Sequence, residues 1–156
     1  MEGYFDCLFI GSDHHGFELK HQLFSYFQRM YPTKVLINLG SFNQGRNVDY
    51  PDIAKELKKS INKMKGHIDF DKPLGILIGS TGIGMTIAAN KIKMVRAATC
   101  NTMEHIFSAV LYNNINVLCL GKVNYGEMIK IVESFLKLEF EHASIHTKCI
   151  KKIHKV

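Results

Sequence analysis

The sequence has no CxxC pair and no cysteine and histidine spacing of the kind that holds zinc. Its four cysteines, Cys7, Cys100, Cys119 and Cys149, are scattered over 156 residues. Isolated thiols, three of them among aliphatic or small neighbours, read as reduced and mostly structural side chains of a cytoplasmic protein. No stretch approaches the roughly 18 apolar residues that a membrane span needs, and no basic segment precedes a long apolar run, so a soluble protein with no membrane partner is expected. Repeats and low-complexity tracts are missing too. Arginine is scarce, at Arg29, Arg46 and Arg96, which leaves few candidates for a bidentate grip on phosphate. The net charge of +6 is concentrated after Glu141, where four lysines and three histidines meet no acid. No recognition motif or aromatic stacking pattern accompanies that basic stretch, so it reads as a solvated face and not as a nucleic-acid site.

What is present is a regular alternation of apolar runs and helical patterns. A chain of this length forms one domain, 1–156, that buries roughly 70% of its unfolded surface, with 142–156 as a basic C-terminal tail or short helix. "YFDCLFIG" reads as a strand, and "FELKHQLFSYFQRM" as an amphipathic helix with Leu19, Leu23, Phe24 and Phe27 on one face. "KVLINLG" is a second strand, and a polar loop leads to a helix opened by Pro51, with Ile53, Leu57 and Ile61 facing inward. "LGILIGS", "VRAATC" and "INVLCLG" are the remaining strands. A helix runs through "MTIAANKI", another through "NTMEHIFSAVLYNN" with a capping pattern at Asn101 or Thr102, and a last long one through "YGEMIKIVESFLKLEF". Nearly continuous aliphatic strands separated by helices predict a doubly wound α/β/α sandwich around a five-stranded parallel sheet.

In such sheets ligands bind at the carboxyl ends of the strands, where the strand order reverses. The unusual residues cluster there: Asp13, His14 and His15 after strand one, then Ser80, Thr81, Gly82, Ile83 and Gly84 after strand three. Glycines and hydroxyls opening a helix suit a phosphate or a developing oxyanion. A dinucleotide site wants its glycines after the first strand, and a phosphate loop of the nucleotide-triphosphatase kind wants Gly-Lys-Ser/Thr; neither is found. The position of His14 beside Asp13 favours a functional histidine, whereas His15 reads as structural.

"GSDHHGFELK", "DYPDIA", "GILIGSTGIGMTIAANKI", "VRAATC" and "YNNINVLCLG" stand in the order, and nearly the spacing, found in the ribose-5-phosphate isomerase B family, which also includes galactose-6-phosphate isomerases. The chain resembles that family from about Leu8 to Leu138. The resemblance implies a Rossmann-like or flavodoxin-like fold, a homodimer with each site built across the interface, a sugar phosphate as ligand, and no metal or cofactor. It also implies aldose–ketose isomerisation of ribose 5-phosphate and ribulose 5-phosphate, in the pentose phosphate pathway, through an enediolate. On the matching positions, Thr81, Ser80 and the amides through Gly82, Ile83 and Gly84 correspond to the oxyanion pocket. Asp13 corresponds to a substrate-hydroxyl aspartate, His14 to a phosphate-contacting histidine, Tyr50 to the tyrosine of "DYP" and Asn113 to the asparagine of a His-Asn pair.

The departures fall on the chemistry. The family's proton-transfer base is a cysteine where this chain has Gly79 or, in another branch, a glutamate where it has Met85. Tyr112 replaces the histidine that assists ring opening, and two phosphate-clamping arginines align with Ser144 and Lys148, a loose match in which lysine gives a point charge in place of a fork. Loss of a general base costs about 10²- to 10⁴-fold in rate. Two readings follow: an active isomerase with a different sugar phosphate or a relocated base, for which Ser80 needs an activating partner and Asp13 or Cys100 must reach C2 or Ser80, and a weak or inactive sugar-phosphate binder or partner subunit.

Overall fold

The computed structural model describes residues 5–156. Five strands form one parallel sheet: β1 (Cys7–Ser12), β2 (Val35–Asn38), β3 (Gly75–Ile78), β4 (Ala97–Thr99) and β5 (Val117–Leu120), in the order β2-β1-β3-β5-β4. Each neighbouring pair is parallel, with Phe9 opposite Gly75, Gly75 opposite Val117 and Ala97 opposite Val117. Parallel neighbours need crossovers, which here are α1 (Phe17–Met30), α2 (Tyr50–Lys63), α3 (Ile83–Ala89) and α4 (Met103–Asn113). Two further helices follow β5, α5 (Tyr125–Lys137) and α6 (Ser144–Ile153).

The period-two pleat sends alternate strand residues to opposite faces and so creates two cores. On one face Ile10, Ile76, Ile78, Leu118 and Leu120 pack against Leu23 and Phe27 of α1, Ile106 and Val110 of α4, and Phe135 of α5. On the other, Phe9, Leu77 and Cys119 meet Ile53, Leu57 and Ile61 of α2 and Met85 of α3. The central strands β3 and β5 are buried along their whole length, whereas β2 and β4 at the edges are only partly covered. That gradient is why the middle strands read as unbroken aliphatic runs. Among the described residues no helix is long and apolar enough to cross a membrane.

Several elements are shorter than the stretches read from the sequence, and of the two caps expected for α4 the threonine is used. The α3 helix stops at Ala89, three residues before Ile92, because the Asn90 side chain turns back to the edge of β4, donating to Ala97 O (2.9 Å) and accepting from Ala97 N (2.8 Å). This amide supplies the backbone partner that an edge strand lacks. Asn116 does similar work inside, accepting from Arg96 N and donating to the carbonyls of Phe70 and Met94. The strand read in "VRAATC" is three residues long. The α4 helix is capped by Thr102, whose hydroxyl accepts from His105 N at 3.2 Å; with histidine at that third position, only the threonine half of a capping box forms.

One close approach sets the distance between the start of α1 and the end of β3. A Cβ on Gly16 would stand 2.4 Å from the carbonyl oxygen of Ile78, so only glycine lets the start of α1 lie against the end of β3. Gly16→Ala is therefore expected to lower the unfolding free energy by at least about 2 kcal/mol, read as a shifted urea midpoint with an unchanged slope.

Candidate active site

The order of strands places β1 and β3 side by side with their connections leaving in opposite directions, which opens a crevice beyond their carboxyl ends. Asp13 enters it from β1. Its amide donates to Ile78 O (3.2 Å), anchoring it to β3, and its Oδ1 accepts from the amides of His15 (2.9 Å) and Gly16 (3.1 Å). A short acceptor bonded two and three residues ahead opens α1 in the manner of an Asx turn. Among the described residues Oδ2 has no hydrogen-bond partner, and Asp13 is 6% exposed. The ring of His14 is half-buried, with Nδ1 3.1 Å from Val48 O and 3.3 Å from Val48 N; His15 is exposed, its ring centroid 4.1 Å from that of His14.

The turn after β3 is fastened from the neighbouring strands. Gly79 N donates to Leu120 O and Lys122 N to Ser80 O. Asn101, at the end of β4, donates to Thr81 O (3.2 Å) and accepts from Gly121 N (2.7 Å), so one amide joins the turns that follow β3, β4 and β5. Gly82 takes the left-handed conformation (φ +82°) ahead of α3, and the Thr81 hydroxyl accepts from Ile83 N at 3.2 Å. Tyr50, at the start of α2, lays its ring over Gly84, where a Cβ would stand 2.8 Å from the ring's Cζ. Asp13, His14, Tyr50, Ser80, Thr81, Gly82, Ile83 and Gly84 thus share one end of the sheet.

Tyr112, Asn113 and Lys148 do not join them. The 11 residues of α4 span about 16 Å, so its last turn reaches the amino ends of the strands. There the Tyr112 ring lies 5.0 Å from that of His146 on α6, Asn113 donates to Ser108 O, and Lys148 is exposed on the same helix. One chain holds two groups of candidate residues at opposite ends.

The thiols are unsuited to proton transfer. Burial pushes Cys100 up to about 11 and Cys119 up to about 12, the latter despite a hydrogen bond with Thr86. Neither is a thiolate near neutral pH. Met85 is 1% exposed and fills the floor of the crevice beside Gly79. Burial of its thiol, which holds the proton, argues against Cys100 as a base.

Two residues escaped the sequence reading. Asn101 was read only as a possible cap, and nothing in its neighbourhood signals the bridge it makes. Lys20 did leave a signal: with Leu23, Phe24 and Phe27 it occupies i, i+3, i+4 and i+7, placing a lysine on the buried face of α1. Its ammonium donates to Asn38 Oδ1 and to the carbonyl of Ser41, flanked by the rings of Phe17 and Phe42, and burial brings its pKa down to about 8. Through Ser41 it holds the turn whose Gly40 O accepts from Ser12 N, next to Asp13.

Residues 8–153 match the family model described as Ribose/Galactose Isomerase. A protein of Mycoplasma genitalium named "Probable ribose-5-phosphate isomerase B" is 39% identical over 150 residues, covering 94% of this chain and 92% of that protein. The crystal structure of ribose-5-phosphate isomerase B from the same organism, with bound ribulose-5-phosphate, superposes with a TM-score of 0.82 at 37% identity, over 96% of this chain and 94% of that one. A D-erythrulose-4-phosphate isomerase of Pectobacterium atrosepticum is 35% identical over 134 residues, 85% of this chain and 83% of its own.

Exposure and burial separate the thiols in a way that can be measured. Iodoacetamide at pH 8 is expected to alkylate exposed Cys149 and to leave Cys100 and Cys119 unmodified in the native protein, as followed by peptide mass spectrometry. Rapid labelling of Cys100 would return it to the list of bases.

Proposed function

The chain belongs to the ribose/galactose isomerase family, and from that premise we propose that it interconverts ribose 5-phosphate and ribulose 5-phosphate as a homodimer, without metal or cofactor. The observation that carries the reading is the crevice itself, where Asp13 and the Ser80–Gly84 turn meet at the β1/β3 switch point. In this reading the open-chain aldose lies in the crevice with its carbonyl end against Thr81, Ser80 and the amides of the turn. The reaction moves a proton from C2 to C1 and passes through an enediolate, whose negative oxygens need donors that are already in place. The bridge from Asn101 and the glycine contacts hold those donors still, so little reorganisation accompanies the charge.

His14 and Tyr50 contact the sugar phosphate from the same chain. Tyr112, Asn113 and Lys148 serve the site of a second copy, since α4 and α6 hold them at the far end of their own. The surface that a second copy would cover is present: Ile83 and Ile87 of α3 are 57% and 60% exposed, beside a groove of about 400 Å³ between α2 and α3 that includes Tyr50. Lys148 gives a weaker hold on phosphate than a paired arginine.

A second reading is favoured by Gly79 and Met85, which remove both of the family's bases: a chain that binds sugar phosphate and turns it over poorly, or that completes the site of a related subunit. A coupled assay with the purified protein separates the two. We expect turnover of ribose 5-phosphate within the ordinary enzymatic range, about 1 to 10³ s⁻¹, and a sedimentation coefficient of a dimer at micromolar concentration. Calorimetric binding of ribose 5-phosphate without turnover supports the second reading, and D-erythrulose 4-phosphate should be assayed alongside to test the length of the sugar. Thr81→Ala is expected to lower kcat by about 10²- to 10³-fold, the usual loss when one oxyanion donor is removed.

A further inference from the structure

We propose that Asp13 is the proton-transfer base of this chain, an inference that rests on the isomerase reading above. The argument is geometric. A Cβ built on Gly79 would stand 3.2 Å from Asp13 Oδ2, 3.4 Å from Met85 Cγ and 3.8 Å from Asp13 Cγ. The two positions at which the resemblance places a base, Gly79 and Met85, therefore converge on one spot, and the oxygen that faces that spot belongs to Asp13. With no side chain at Gly79, no atom of that residue stands between this spot and Oδ2.

The carboxylate divides its work between its two oxygens. Oδ1 is committed to the amides of His15 and Gly16, which fix the plane of the group, and among the described residues Oδ2 has no hydrogen-bond partner. The backbone is pinned to β3 by the bond from Asp13 N to Ile78 O, and Gly79 precedes Ser80 and Thr81 directly. A base at the strand end and donors one and two residues further on are the two functions that proton abstraction beside a carbonyl demands. The other nearby titratable groups are less suited. The Cys100 and Cys119 thiols are buried and protonated, and the Nδ1 of His14 is occupied by Val48.

The step balances within the substrate and one carboxylate. Oδ2 takes the proton from C2; the C–H electron pair becomes the C1–C2 double bond, and the carbonyl pair moves onto O1. Return of a proton from Asp13 to C1, after part of the carboxyl proton has exchanged with water, with transfer of the O2 hydroxyl proton to O1, gives the ketose and regenerates the carboxylate. No external oxidant or reductant takes part.

The test compares the intact protein with Asp13→Asn, which keeps an Oδ1 acceptor for the two amides and removes the basic oxygen. Turnover of ribose 5-phosphate should fall by about 10²- to 10⁴-fold, while calorimetric binding of ribose 5-phosphate stays within about threefold of the parent. Deuterium from D₂O, found by NMR at C1 of the ketose formed by the parent, should fall in step. Adding Gly79→Cys to Asp13→Asn should restore at least about tenfold of the lost rate by returning a base to the same spot. If Asp13→Asn does not fold, Gly79→Ala decides the matter: its methyl covers Oδ2 without changing the carboxylate, and kcat should drop at least about tenfold with binding retained. A folded Asp13→Asn, or in its absence Gly79→Ala, with turnover within about threefold of an active parent overturns the inference and leaves the isomerase reading standing. A parent with neither turnover nor deuterium incorporation overturns both.

Discussion

Backbone lying against backbone at the ends of β1, β3 and β5 governs the rest of this molecule. Gly16 meets the carbonyl of Ile78, Gly82 meets the end of β5 at 3.0 Å, and Gly121 meets Thr81 at 2.7 Å, each measured to the Cβ that glycine does not have. Side chains at these points would spread the three turns apart, and the crevice would lose its shape before any catalytic group was touched. The cost of such closeness is conformational, since glycine gives up the most freedom on folding. It is offset by two buried cores and by the Asn101 amide that ties the turns together.

The architecture was legible because its signals are local and repeated. Ile76, Leu77 and Ile78 form a run too apolar for anything but a strand covered on both faces, and the Ile53, Leu57 and Ile61 spacing fits only a one-sided helix. Strand ends were harder to place, because the limits of β4 depend on Asn90, a side chain outside the strand. The candidate site was legible as a list of residues and not as an arrangement. Nothing in the order of Asp13, Thr81 and Asn113 along the chain says that the first two share an end of the sheet and the third does not; that follows from the direction of α4.

The same distinction explains the question of the base. Read along the chain, Gly79 and Met85 are two losses. Seen in space, they meet at one spot, and a carboxylate oxygen of Asp13 faces it. Lys20 belongs to this picture as support, because an ammonium held under the Ser41 carbonyl steadies the turn next to β1. Burying an amine without a carboxylate partner opposes its charge, which is why its pKa falls.

The asparagine amides have a consequence for the chemical ageing of the protein. Asn90, Asn101 and Asn116 each use both ends of the amide, donating with nitrogen and accepting with oxygen, where backbone groups would otherwise lack partners. Hydrolysis of such a side chain, one of the thermally labile reactions of proteins, leaves an aspartate of almost the same shape in which the donor has become an oxygen. At position 90 that oxygen would face the Ala97 carbonyl, and a negative charge would replace the hydrogen bond that closes the edge of β4. Water reaches Asn90 freely, whereas Asn116 is fully enclosed. Of the three bridging amides, the one most open to water therefore closes an edge strand and not the core.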